Sequence, residues 1–404
     1  MIKIGKIDKK LIFPVFAGIL YFPFYFISER SAIKSHYLMN SLCSAMGMSL
    51  SIIPYLISKY NMKKSMSNKN LNKLVRKTNT KELELVLIYN KISYDIKRYK
   101  HLYIFLSSIT DFLQTLIAAI TVKGDISINF WLSDIIFLSI LSYFILNIKL
   151  LKHQIFSLTI IVISGIFVDF LFGSLREAPS NIKYVLLRLF CEFAYSFSLI
   201  INKYCMDYKF SSPYEVCFFV GIFTFFFYSI SLIISSNISC NLDFCYVEDK
   251  NKKKYFDKFE VYINNLDKTE VFYFILEMIF LSLINILSLL TIKFFTPFHS
   301  IIILVIGRIN FTIDKLFKGK MKLEDIIHII FLLFISFGLL IYFEIIILNF
   351  CGIQRYTRYN IEKRGILDAD WAINDDNCSQ EESLIEINGE KESNLDESNT
   401  SSNF

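Results

Sequence analysis

Ten long apolar stretches, joined by short polar segments, constrain this chain more than any other feature. They begin near Leu11, Tyr37, His101, Asn129, Gln154, Tyr184, Pro213, Glu270, Pro297 and Glu324. Each runs for roughly 17–27 residues, and about 20 apolar residues at about 1.5 Å rise per residue cross a hydrocarbon core about 30 Å thick. A helix on the surface of a soluble domain needs only one apolar stripe, whereas these are apolar on every face. The expected fold class is an all-α integral membrane protein with ten transmembrane helices.

Composition agrees. Apolar residues make up 54% and charged residues 20%, with a mean hydropathy of +0.45, values that fit a chain whose solvent is mostly lipid. The charge is placed unevenly. Residues 60–100 carry eleven Lys/Arg against the acids Glu82, Glu84 and Asp95. The tail 352–404 has a net charge of −7, and from about Asp368 its Glu, Asp, Ser and Asn content predicts disorder. The basic loop lies between the second and third spans, so the positive-inside rule assigns it to the cytoplasm. An even number of spans then brings the N-terminus (1–10) and the tail to the same side. Lys3, Lys6, Lys9 and Lys10 at one end, and Arg355, Arg358, Lys363 and Arg364 at the other, agree, while Lys318, Lys320 and Lys322 dissent. No small-residue cleavage site follows the first apolar stretch, which reads as a retained signal-anchor.

The 60–100 loop reads either as a charged linker or, around Leu83, Leu85, Val86, Leu87 and Ile88, as a surface helix drawn to anionic lipid. By the same topology the loop 236–269 is non-cytoplasmic. Cys240 and Cys245 in it are either a disulfide pair or two free thiols. Asn237-Ile238-Ser239 is a glycosylation sequon there, close to the membrane surface. The matching triplets at Asn377 and Asn399 fall in the cytoplasmic tail and should stay bare.

The chain also echoes itself. The joint Lys149-Leu150-Leu151-Lys152-His153-Gln154 leads into an apolar run reaching Ser164-Gly165. Lys320-Met321-Lys322-Leu323-Glu324-Asp325 leads into one reaching Ser336-Phe337-Gly338. Each joint separates the fourth and fifth spans of a five-span half, 11–173 and 182–351. Five is odd, so the second half enters the membrane inverted, an arrangement common among secondary transporters with a midplane solute site.

Ionisable groups at membrane depth are costly unless they face a partner or a cavity. Asp111 and Gln114 share one helix face, and Arg188 and Glu192 stand at the i,i+4 spacing of an ion pair. Arg308 and Asn310 occupy the ninth span. These six are the candidate solute-binding residues: an arginine at depth suits an anion, because its planar fork donates paired hydrogen bonds. Mutual neutralisation of Arg188 and Glu192, or a structural Asp–Arg lock, is the competing reading. Asp134, Asp169, Glu277 and Asp314 lie within about two turns of expected span ends and are expected to reach headgroups or water. Glu344 is expected to stabilise the closing helix.

Enzyme chemistry is not expected. The chain has no Gly-rich phosphate loop, no His-Glu-x-x-His and no Cys-x-x-Cys, and its histidines (His36, His101, His153, His299, His328) are dispersed. No metal, cofactor or nucleic-acid partner is expected. The expected partners are a small-molecule solute and membrane lipid, with a homodimer left open.

Several stretches carry a family likeness. They are Asp111-Phe112-Leu113, the run from Phe137-Leu138-Ser139-Ile140-Leu141-Ser142 to Leu146-Asn147-Ile148-Lys149-Leu150, and Asn202-Lys203-Tyr204 through Ser212-Pro213-Tyr214 and Gly221. A further one is Leu339-Leu340-Ile341-Tyr342-Phe343-Glu344 through Cys351-Gly352, continuing as Thr357-Arg358-Tyr359-Asn360-Ile361-Glu362-Lys363-Arg364. In these the chain resembles the drug/metabolite transporter superfamily, in particular the EamA-like, ten-helix solute carrier family 35 branch, over roughly residues 10–365. It departs at Asn129-Phe130-Trp131-Leu132-Ser133-Asp134, where family members often carry an arginine-containing polar sequence. The resemblance implies two inverted five-helix repeats, cytoplasmic termini, an endomembrane location (Golgi, ER or lysosome/vacuole-like, with the plasma membrane open) and alternating-access transport, with Asp111 at a matched position. It names no solute. The rival expectation is a non-transporting receptor or scaffold that presents its basic loop and acidic tail.

Overall fold

In the computed structural model of the chain, a helix stands in each of the ten apolar stretches. The structure describes residues 2–4, 9–28, 36–68, 99–122, 133–175, 182–240, 245, 247–248, 253–264, 267–317 and 323–348. The segment 69–98, the joint 318–322 and the tail lie outside the described residues, as do the side chains of Asp169, Arg308 and Asp314. After strand β1 (Ile2–Ile4) come α1 (Ile12–Ser28), α2 (Tyr37–Ser49), α3 (Ile52–Asn68), α4 (Lys100–Val122) and α5 (Ser133–Leu146). They are followed by α6 (Lys152–Leu175), α7 (Ile182–Asp207), α8 (Pro213–Asn237), strands β2 (Val247–Glu248) and β3 (Lys254–Tyr255), and the short α9 (Phe259–Asn264). The last elements are α10 (Lys268–Phe294), α11 (Ser300–Phe317), α12 (Leu323–Tyr342) and β4 (Ile346–Leu348). Five helical segments are long and apolar enough to cross a membrane: Tyr37–Asn61, Lys100–Thr121, Val185–Asp207, Pro213–Asn237 and Lys268–Phe294. The other apolar helices are shorter.

Local chemistry sets the helix ends. Ser212 accepts the Glu215 N–H at 3.0 Å, with Pro213 opening α8 where a missing N–H costs nothing. Asp267 accepts the Glu270 N–H at 2.8 Å and starts α10. The second apolar stretch is broken between α2 and α3 because Pro54 has no N–H to give to the Leu50 carbonyl; Ser51 and Ile53 close tighter turns onto Met48 and Leu50 instead. The tenth stretch also differs from expectation, since its helix stops at Tyr342 although the apolar run continues to Cys351. Glu344 takes a positive φ of 59°, its N–H reaches the Ile341 carbonyl, and the Ile345 N–H reaches Leu340, which is a Schellman closure.

The chain divides into two compact units. In the smaller one the described residues are 2–4, 149–157 and 340–348. Here β1 and β4 pair antiparallel, Ile2 opposite Leu348 and Ile4 opposite Ile346. Buried His153 holds its Nε2 3.1 Å from the Glu344 carboxylate, which ties the start of α6 to the end of α12.

The larger unit, residues 6–148 and 158–339, is a helical bundle. Helix α2 lies between α8 and α10; α4 packs on α7 and α8; α1 packs on α10 and α11; and α5 packs on α7. Lys203 near the end of α7 is buried. Its ammonium donates to the carbonyls of Lys293 (3.1 Å) and Phe295 (2.7 Å) and pairs with Asp207 (3.1 Å), so it caps the last turn of α10.

The loop after α8 is folded onto this bundle. A disulfide joins Cys240 to Cys245, the Cys240 N–H donates to the Lys254 carbonyl, and β2 pairs with β3. Asp257, 0% exposed, carries the attachment. One carboxylate oxygen lies 2.7 Å from His36 Nδ1, and the other accepts the Leu38 N–H at 2.9 Å. It thereby caps the N-terminus of α2 from 219 residues away, where orphan N–H groups and the helix dipole both favour an anion. Tyr262 of α9 packs edge-on against His36, and burial pushes its hydroxyl up to about 12. Asp257→Ala strands these donors, so it should lower stability by about 2–3 kcal/mol, and Asp257→Asn by less. Thermal unfolding in detergent measures both; equal melting temperatures for wild type and Asp257→Ala would refute this account of the loop.

Candidate functional site

Helix α7 places Arg188, Glu192 and Ser196 at successive i,i+4 positions, hence on one face. Arg188 forms an ion pair with Glu192. Helix α5 opens beside that face and delivers Asp134, whose carboxyl lies within hydrogen-bonding reach of Glu192. The Ser196 hydroxyl donates to the Asp134 carboxylate and to its backbone carbonyl, both at 3.3 Å. Asp134 is 2% exposed and Glu192 4%. Two carboxyls and one guanidinium therefore meet inside the bundle, at the crossing of α5 and α7.

Helix α4 borders the same place. The Cys191 thiol donates to the Gln114 backbone carbonyl at 3.3 Å, which holds α4 against α7. Asp111 and Gln114 are half-buried. Tyr195 sits within electrostatic reach of Asp134, Glu192 and Asp111. Below them, Ser107 bonds to Ser198 (2.9 Å) and Asn202 (2.8 Å), a polar seam between α4 and α7.

Of the six candidate residues, Arg188 and Glu192 thus pair, and Asp111 and Gln114 stand on the helix packed beside them. Asn310 does not join them: its amide donates to the Gly18 carbonyl at 2.8 Å and fastens α11 to α1. The Arg308 side chain lies outside the described residues.

Two acids depart from expectation. Asp134 and Glu277 do not reach headgroups or water; Glu277 is 0% exposed. Asp134 is covered because α5 packs on α7 from its first turn, and Glu277 because α10 is flanked by α1 and α2, with Ser28 and Cys43 beside its carboxyl. Distance from a span end predicts exposure only for a helix with a free face. The spacing of Arg188 and Glu192 revealed their pairing, but nothing along the sequence revealed Asp134 as the third member.

Among the described residues no group of three His, Cys, Asp or Glu is placed to hold a metal ion. The cluster offers a fixed cation for an anion and two neighbouring carboxyls able to exchange a proton. No protein-family model matches the chain, and no curated protein matches it.

Proposed function

We propose that this chain is a polytopic membrane carrier, built of two inverted five-helix repeats, that moves a small polar, anionic solute by alternating access. The observation that carries the reading is the pair of buried carboxyls, Asp134 and Glu192, with Arg188 paired to Glu192 on a helix long and apolar enough to cross a membrane. Buried charge of this kind is expensive in lipid and belongs to solute pathways and proton relays.

The packing of the helices supports the repeat. Exchanging α1 with α7, α2 with α8, α4 with α10 and α5 with α11 maps the principal pairings onto one another. The pair α4–α7 becomes α10–α1, α5–α7 becomes α11–α1, α4–α8 becomes α10–α2, and α2–α8 becomes itself. Such a partner list is what a two-fold axis between two five-helix halves produces. The antiparallel pairing of β1 with β4 supports an even number of crossings with both ends on one face, assigned to the cytoplasm by the basic loop. The resemblance to the solute carrier family 35 branch points the same way and favours an endomembrane.

The solute would enter between the halves, beside α4 and α7, with Arg188 gripping its anionic group and Asp111 and Gln114 forming the neighbouring wall. A thermal-shift screen of the purified protein against nucleotides, nucleotide sugars, organic acids and amines tests this, since a solute bound only by the folded state raises the melting temperature. The expected hit is an anion whose shift disappears in Arg188→Leu. Shifts from amines alone, or an anion shift that survives in Arg188→Leu, would overturn it.

A further inference from the structure

We propose that Asp134 and Glu192 share one exchangeable proton, with Arg188 as its fixed counter-charge, so that this cluster is a proton-binding site inside the bundle. Its role in coupling rests on the carrier reading; the presence of the proton does not.

The argument is one of charge and contact. With both carboxyls ionised, the cluster holds two negative charges and one positive charge, a net charge of −1 with Asp134 and Glu192 almost wholly removed from solvent. Two carboxylates in contact cannot both ionise cheaply, and such a pair binds and releases protons as a unit. A single proton makes the cluster neutral and turns the repulsion into an O–H···O bond between the two carboxyls. Ser196 offers only one hydroxyl hydrogen to Asp134, too little to replace a cation.

The surroundings reinforce this count. Among the described residues, the titratable groups in reach of the cluster are Cys191 and Tyr195 on α7, and Tyr195 in turn is in reach of Asp111 on α4 and Tyr21 on α1; all are neutral or acidic. Among the described residues, the cations on other packed elements are engaged elsewhere: Lys203 at the end of α10, Lys100 with Glu215, and His299 with Thr296.

The proton moves from water to a carboxyl oxygen and returns to water, with no change in oxidation state. An anion drawn to Arg188 weakens the Arg188–Glu192 pair, which leaves the two carboxyls more dependent on their proton. Loss of the proton, in turn, leaves a second carboxylate to compete for Arg188. Proton and anion therefore favour each other's binding, and the coupling is reciprocal. On the carrier reading that is co-transport.

Infrared spectroscopy of the full-length protein in lipid nanodiscs reads the proton directly through the protonated-carboxyl band, without any solute. At neutral pH the difference between wild type and Asp134→Asn should show the loss of one protonated carboxyl, and Glu192→Gln should remove the same band. Arg188→Gln should add a second, because a cluster without its cation needs two protons for neutrality. Asparagine mimics the protonated carboxyl in shape; should Asp134→Asn fail to fold, Glu192→Gln on α7 carries the same comparison. Spectra of the carboxyl variants identical to wild type in this band would overturn the proposal, as would an Arg188→Gln spectrum with no added intensity. If the band is present while no solute shifts the melting temperature, the proton site stands and the carrier reading falls; the reverse outcome separates them equally well.

Discussion

Arg188→Leu is expected to weaken anion binding by about 10- to 100-fold, the worth of a charge-assisted hydrogen bond or a bidentate pair, and to lower the stability of the fold. The first effect follows from Arg188 being 26% exposed at the side chain while its partner Glu192 is 6% exposed, so the guanidinium is the member of the pair that a solute can reach. The second follows from what the substitution strands. Removing one partner of a buried pair costs about 3–5 kcal/mol when the other charge stays, and the fold lowers that cost by taking up a proton instead. The melting temperature of Arg188→Leu should lie well below that of wild type. Arg188→Lys keeps the charge without the fork and should fall between them. Equal melting temperatures for wild type and Arg188→Leu would mean that the substitution strands no buried charge.

What could be read along the chain was one-dimensional. Apolar length located the helices, because a segment that must satisfy its own backbone in lipid announces itself by length and composition alone. The i,i+4 spacing announced Arg188–Glu192 for the same reason. Relations between distant segments were not readable. Asp134 counts as near a span end by position, and only the packing of α5 on α7 buries it. Asn310 has the chemistry of a solute ligand, yet the backbone of α1 uses it. Asp257 sits in a loop of mixed charge with no periodicity to mark it, while its partners His36 and Leu38 are about 220 residues away. The end of α12 was misplaced because the run stays apolar through the Schellman turn at Glu344, where hydropathy is blind to φ. The location of apolar mass is a composition problem; the neutralisation of a buried charge is a tertiary one.

Gly47→Val should prevent the bundle from closing, and Gly47→Ala should destabilise it by about 1–3 kcal/mol even though alanine favours a helix over glycine by about 1 kcal/mol. A Cβ at Gly47 would stand 2.5 Å from the Met278 carbonyl oxygen and 3.3 Å from the Ser282 nitrogen on α10. These are backbone atoms, so no rotamer change makes room and the helices must separate. On the neighbouring contact of α2, a Cβ at Gly221 of α8 would stand 2.7 Å from the Ser49 nitrogen and 2.8 Å from Met48 Cβ. Glycine on these faces is what lets apolar helices approach closely where no hydrophobic drive exists between them. Gly307 supplies the control, because a Cβ there would meet only the Tyr21 ring at 3.4 Å. Gly307→Ala should therefore leave stability unchanged or slightly raised, while Gly47→Ala and Gly221→Ala lower it; thermal unfolding and monodispersity in detergent separate the three. An unperturbed Gly47→Ala would mean that α2 and α10 do not meet at this distance. In the proposed two-fold arrangement α2 and α8 are exchange partners, so their glycine contact is where the two halves close on each other. A substitution that parts α2 from its neighbours should then loosen the cluster on α5 and α7 as well, without touching any of its charged residues.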